Sequence, residues 1–496
     1  MRETRKKLIP EECDFLICNA SVIDGTGGPA RHADVAIAGD QIVGVGDLQD
    51  LRAETVVDAA GLCLAPGFID VHTHDDWALL RTPDMPFKIT QGVTTVVAGN
   101  CGISAAPFRM QEGLPDPFNV VPGLKEFSFE TVGAYCQAIT ESPPAVNVRL
   151  LVGHSALRAT VMGPDLNRPA NADEINQMAD LLDLALGEGA AGLSSGLDYP
   201  AALEAPLDEI VALAGVLRRH KGTVYATHIR DEGDTVVDAV KEALTTGQQA
   251  EVPLVLSHHK CCGHRNFGKS KITLAMIDEA RRAGEVALDV YPYVASSSAL
   301  MERFIGAAKD VIVIWSAPHP DCGGRMLDDI AADWGVTREE ACTRLKPAGA
   351  VYFDMDEDDV QRIMQHPAAM IGSDGLPGTE KPHPRLWGTF PRVLGHYARD
   401  LKLFSLAQAV HKMTGLSAAK FGMSDRGEIA VGKKADLVLF DADEIADHAD
   451  FDTPERPSKG IHTVVVNGQV AFTNGLQTSG RAGRFLDNQP NLRGDQ

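Results

Sequence analysis

The chain has no long apolar run. Nothing in its 496 residues approaches the roughly 20 consecutive apolar side chains that a membrane-spanning helix requires. The amino-terminal stretch MRETRKKLIPEECDF is charged and has no apolar segment behind it, so neither a secretory signal nor a membrane anchor is expected. Positive charge is also scarce. The 46 Lys plus Arg face 68 Asp plus Glu, a net charge of -22, which excludes nucleic acid and anionic membrane as natural partners. Nine cysteines are scattered without the spacing of a disulfide framework, so reduced thiols and a cytoplasmic setting are expected. Aromatic residues make up only 6%, but 44% hydrophobic content is enough for a sizeable core and excludes disorder.

Short apolar runs alternate with longer amphipathic stretches through the middle of the chain, as in repeated βα units. Eight candidate strands stand out: LCLAPGFIDVHTH, TTVVAGN, NVRLLVGH, AAGLSSG, GTVYATHIR, VPLVLSHHK, EVALDVYPY and AAMIGSDG. Helical patterns lie between them, such as NADEINQMADLLDLALGEG and DTVVDAVKEALTTG. Eight such units predict an α/β fold, a (β/α)8 barrel of the TIM type, over residues 62–423, with its chemistry at the C-terminal ends of the strands. Both ends of the chain are instead rich in short β runs, and residues 8–61 with 424–480 are expected to form one small β-sandwich domain, with a hairpin at Asn467-Gly468. The spacing between strands seven and eight is long, so 296–350 is read as an inserted, lid-like segment. The polar tail after Gly480 is expected to fray.

Candidate chemistry gathers at the predicted strand ends. His72 and His74 stand two apart after the first run, on one face if the strand continues. Cys101 follows strand two, His228 ends strand five, His258 ends strand six and Asp374 ends strand eight. Each is unremarkable alone, but at one barrel mouth they supply N, S and O ligands for one or two zinc-like ions. A bound dication lowers the pKa of water to about 7, and Asp374 could take the water's proton and pass it to a leaving amine. The implied reaction is hydrolysis of an amide-like bond.

The motifs PGFIDVHTH, the later single histidines, SDG and GEIAVGKKADLVLFD resemble the amidohydrolase superfamily. GVTTVVAGNCGIS, GLSSGLDYPA, SHHK, DVYPYVASSS and GSDGLPG resemble, more narrowly, the D-aminoacylases (N-acyl-D-amino-acid deacylases), and the likeness runs over nearly the whole chain. It implies a tight zinc on Cys101, His228 and His258, a weaker second position at His72, His74 and Asp374, and Asp374 as general base and acid. It implies a small-molecule N-acyl amino acid as partner, its carboxylate met by Lys260, Tyr291 and Arg303. Lys260 is placed two residues after His258, on the same strand face. Tyr199, Tyr352 and Met355 either line a side-chain pocket or pack in a core, and Arg385 is a further candidate to face the site. The D configuration comes only from the resemblance, and side-chain preference and oligomeric state stay open.

Rival readings remain. A hydantoinase- or dihydroorotase-like enzyme would place a carbamylated lysine after strand four, where this chain has AGLSSG. A deacylase selective for acidic D-amino acids would leave the same Lys260 and Arg303, which can clamp an α-carboxylate or a side-chain carboxylate. A metal-free scaffold would have lost ligands that are present here. GHRNFGKS (263–270) matches the phosphate-loop pattern literally, with VALD as a mock magnesium-binding acid, but it sits in the sixth unit of the barrel alternation.

Overall fold

The computed structural model describes residues 12–115, 117–118, 123, 126–379 and 381–487. The amino-terminal stretch before Glu12, including positions 8–11 assigned above to the sandwich, lies outside the described residues. Eight parallel strands form the barrel in sequence order: Phe68–Asp70, Val93–Ala98, Asn147–Gly153, Gly192–Gly196, Val224–His228, Leu254–Leu256, Val286–Val290 and Ala369–Ile371. Ile69, Val97, Leu151, Ala191, Val224, Val255, Ala287 and Met370 form one buried cluster inside it, while a larger apolar cluster fills the layer under the surrounding helices. One helix of that layer, Ala172–Gly187, starts at a capping box in which Asn171 and Glu174 satisfy each other's orphan N–H groups.

The first predicted strand proves to be two. Cys63–Pro66 pairs with Leu437–Phe440 in the terminal β unit, and Phe68–Asp70 opens the barrel. Gly67 is the switch between them: its N–H donates to Asp436 O at 2.8 Å in one sheet, and the next N–H, of Phe68, donates to Gly92 O at 2.9 Å in the other. A Cβ on Gly67 would lie 2.2 Å from the Thr94 side chain, so only glycine allows the two sheets to meet here. The terminal unit is a β-sandwich with nine strands in its sheet, drawn from both ends of the chain. Its hairpin turns at Asn467 and Gly468, both with positive φ.

Fraying was expected after Gly480, but the tail is pinned in its described part, and residues 488–496 lie outside the described residues. Val148 N donates to Arg484 O and Leu486 N to Val148 O, which ties residues 484–486 to the base of the third barrel strand. Between barrel strands seven and eight, Ser296–Ala299, Val311–Ser316, Arg325–Met326 and Ala348–Tyr352 make an antiparallel sheet with its own buried cluster. No helix among the described residues is long and apolar enough to cross a membrane.

Closure of the barrel depends on buried charge. Asp70 Oδ1 accepts from Ser373 N at 2.7 Å, and Lys88 Nζ donates to Asp70 Oδ2 at 2.7 Å and to Ser373 Oγ at 3.0 Å while lying 3.2 Å from Asp75. All three charged side chains are fully buried. Removing the ammonium would leave two carboxylates in the interior without a counter-charge. Lys88→Met is therefore expected to cost about 3–5 kcal/mol, read as a lowered urea midpoint, with partial recovery in Lys88→Met/Asp70→Asn.

Candidate metal centre

Six donor side chains converge at the C-terminal mouth of the barrel in three overlapping triads: His72, His74 and Cys101; Cys101, His228 and His258; His72, His258 and Asp374. Within each triad the donor atoms lie within 4.8 Å of one another. Cys101 Sγ is 3.2 Å from His72 Nε2 and 3.3 Å from His258 Nε2, and Asp374 Oδ1 is 3.3 Å from His74 Nε2 and 3.6 Å from His72 Nε2. Ligands on a tetrahedral zinc with ~2.0–2.3 Å bonds stand ~3.5 Å apart, so this spacing suits an ion. Among the described residues, neither ring nitrogen of the buried His228 has a hydrogen-bond partner, a costly state that a metal bond relieves.

The strand alternation invoked for these residues is not what aims them. The first barrel strand stops at Asp70 and the sixth at Leu256, so His72, His74, His258 and Lys260 all lie past the regular strands. Cys101, His258 and Asp374 instead adopt left-handed backbone, with φ of 53°, 35° and 49°. Such strain in non-glycine residues collects at sites where the surroundings over-determine the geometry.

The charges are strongly coupled. Burial pushes the Cys101 thiol up, but His72 and His258 outweigh it and hold it well below the usual thiol range. Burial likewise works against the Asp374 carboxylate, and Arg385 followed by His258 holds it well below the usual range. His74 resists its own burial through Asp374 and Cys101 and is raised to about 9. A buried thiolate and carboxylate neutralised by protons on imidazoles is a charge pattern that a dication can replace.

Two residues not assigned to this site from the sequence hold the donor side chains in place. Glu232 Oε1 lies 2.9 Å from His258 Nδ1 and accepts from Lys260 Nζ at 2.6 Å. Asp289 Oδ1 accepts from His258 N at 2.8 Å and lies 3.3 Å from His72 Nδ1. Both leave the Nε2 atoms free to face the cluster. Asp289 was legible as an acid inside the apolar run VALDV. Glu232, in the loop after His228, carried no such signal.

The site opens into a cavity of about 420 Å³ lined by Tyr199, Lys260, Tyr291, Arg303 and Arg385 among others. Arg385 stacks over Tyr291 with its guanidinium carbon 4.5 Å from the ring centre, and its Nη2 is 3.0 Å from Asp374 Oδ2. Tyr352 and Met355 do not line the cavity. Tyr352 is buried in the core of the insert, donating to Ala299 O and accepting from Met301 N, and Met355 sits behind Tyr291, whose hydroxyl it accepts at 3.6 Å. The phosphate-loop look-alike has its donors spent: Asp359 accepts from Gly268 N and Ser270 Oγ, and Lys269 Nζ donates to Asp234 O.

A barrel with this cluster at its mouth defines a metal-dependent hydrolase of the amidohydrolase kind. The family model described as "Amidohydrolase family" matches residues 55–472, and the chain belongs to that family. Within it the chain belongs to the D-aminoacylase (N-acyl-D-amino-acid deacylase) branch. It is 49% identical to a D-aminoacylase of Alcaligenes xylosoxydans xylosoxydans over 95% of this chain and 97% of that one. It is 46% identical to the N-acyl-D-aspartate deacylase of the same organism over 96% and 95%. The solved structure of an N-acyl-D-glutamate deacylase from Bordetella bronchiseptica, with zinc and a phosphonate mimic of the tetrahedral intermediate, superposes with a TM-score of 0.93 at 45% identity, covering 96% of this chain and all of that one.

Glu232→Gln weakens the acceptor shared by His258 and Lys260. Metal retention against a competing chelator is expected to fall ~10–100-fold, with Glu232→Asp intermediate.

Proposed function

We propose that this protein hydrolyses the amide bond of N-acyl-D-amino acids to a carboxylate and a free D-amino acid, using zinc. The observation that carries the proposal is the set of three donor triads sharing one buried mouth. Cys101, His228 and His258 would hold the tight ion, and His72, His74 and Asp374 a weaker second one. When bound, the ion supplies hydroxide at neutral pH and polarises the scissile carbonyl. The D-aminoacylase and the zinc-bound deacylase it resembles over nearly their full lengths support the substrate class and the metal.

Asp374 is the proton carrier. Arg385 holds its Oδ2, which leaves Oδ1, beside His72 and His74, to take the proton of the attacking water and return it to the leaving nitrogen. Arg385 keeps Nε and Nη1 buried without partners among the described residues, and those N–H groups suit the substrate's α-carboxylate. Tyr291 supplies the face on which Arg385 is oriented, and Lys260 lies over the same ring, 5.5 Å from its centre. Tyr199, its ring 4.9 Å from that of His228, adds to the cavity wall beside the donors. The insert, with its sheet over 296–352, would act as the lid of a 62–423 hydrolase domain beside the terminal sandwich. Free thiols at all nine cysteines support a reducing, cytoplasmic setting.

A cyclic-amide hydrolase is the second reading, and the end of the fourth barrel strand speaks against it. Ser194 and Ser195 stand there, hydrogen-bonded to Gly99 O and to Tyr225 and Thr227, with no lysine to bridge metals.

A panel of N-acetyl-D- and N-acetyl-L-amino acids with zinc-loaded enzyme tests the proposal. Turnover of D substrates is expected, and turnover of a hydantoin alone would reverse it. Asp374→Asn is expected to keep the tight metal but lose kcat by ~10²-fold or more. Cys101→Ala is expected to lose both metal and activity, since an anionic ligand is gone; retained zinc by elemental analysis would show that the thiol is no ligand.

A further inference from the structure

Four cations line the cavity, and three of them already face a carboxylate of the protein: Lys260 faces Glu232, Arg385 faces Asp374 and Arg303 faces Asp198, while Arg265 is exposed at the rim. The Arg303 pair differs from the others in its origin. Arg303 belongs to the insert, on the short helix Glu302–Ile305, whereas Asp198 follows the fourth barrel strand, so the pair joins insert to barrel along the cavity wall. It is bidentate: Nη1 donates to Oδ1 at 2.7 Å and Nη2 to Oδ2 at 2.8 Å, and Nη2 also reaches the Asp198 carbonyl at 2.9 Å. A guanidinium grips a free carboxylate with this same fork. The Asp198 side chain is only 8% exposed and that of Arg303 is 42% exposed, so the acid is the fixed member and the arginine comes to it.

We propose that Asp198 is a specificity-determining residue that masks Arg303 against a second substrate carboxylate, so that N-acyl-D-amino acids with neutral side chains are taken in preference to acidic ones. The inference rests on the deacylase reading above. An α-carboxylate finds unpaired N–H groups on Arg385. An acidic side chain reaching toward the insert finds Asp198 where a free cation would be needed, and two like charges a few ångströms apart in a sheltered cavity repel strongly. Discrimination then comes from a built-in repulsive group rather than from an added attractive contact.

The test compares kcat/KM for N-acetyl-D-glutamate and its near-isosteric amide N-acetyl-D-glutamine in the wild type, Asp198→Asn and Asp198→Asn/Arg303→Met. The wild type is expected to favour the amide roughly tenfold or more, Asp198→Asn to move the ratio toward glutamate by a similar factor, chiefly through KM, and the double variant to lose that gain. An unchanged ratio in Asp198→Asn, or a wild type that processes both compounds equally well, overturns the mask. If Asp198→Asn fails to fold, Arg303→Met decides: an unpaired Asp198 must deepen discrimination against glutamate, and a relaxed or unchanged ratio overturns the proposal. Wild-type enzyme that hydrolyses neither compound would sink the deacylase reading instead. The calorimetric affinity ratio of the two compounds, wild type against variant, then still scores the mask.

Discussion

The constraint on which the rest of this molecule depends is the closure of the barrel between its first and last strands. Asp70 and Ser373 are 303 positions apart in the chain, yet a 2.7 Å hydrogen bond joins them, and just above it Asp374 N donates to His72 O at 2.8 Å. That seam puts the two-histidine segment beside the aspartate that shares its site. It is held by a buried Lys88 between two carboxylates, a costly arrangement whose value lies in fixing one register. A slip of the eighth strand would separate Asp374 from His72 and His258 and break the donor triad that the three form. The mouth can be built from left-handed, strained residues because the seam beneath them is rigid.

Above the seam, the charges form pairs that each do two things. Glu232 answers both a ligand imidazole and the cavity's lysine, and Asp289 answers one imidazole and the backbone of the residue carrying another. Asp374 faces two imidazoles with one oxygen and Arg385 with the other. Under the proposed roles, ligand orientation, proton transfer and substrate binding would therefore not be separable layers. A change in any one carboxylate shifts the fields at two others, which is why single substitutions here should fail to add.

The sequence made the barrel legible because parallel strands buried on both faces read as short apolar runs at βα spacing, and the six donors were legible because each closes such a run. The details of aiming were not. His72 and His74 look like neighbours on one strand face, but the strand has ended before them, and turns such as those at Cys101 and His258 have no signature in residue types that normally avoid positive φ. The split at Gly67 was hidden because both halves are apolar and only the clash with Thr94 distinguishes them. Tyr352 and Met355 were ambiguous because an apolar side chain packs a core or lines a pocket with the same letters; Tyr352 joins the insert's own apolar cluster, and Met355 packs against the large cluster under the helices. The pinning of residues 484–486 was missed because polar side chains say nothing of backbone hydrogen bonds to the third strand.

The insert carries the chain's own variation on this frame. It has a core of its own, with a second apolar contact in which Ile314 and Val351 pack with Ala295 and Phe451. Along the cavity, polar ties join it to the rest of the wall: Arg303 to Asp198, Ser296 to Asp354, and Ser297 O to Arg385. Ion pairs and hydrogen bonds facing a cavity are exchanged whenever a ligand offers a better partner, so a bound substrate alters the balance that seats the insert. Burial raises the Asp354 carboxyl to about 6 against the pull of Lys260. Three of the four cations on this wall are already paired with carboxylates of the protein, so added negative charge on a substrate has to compete with those acids for them.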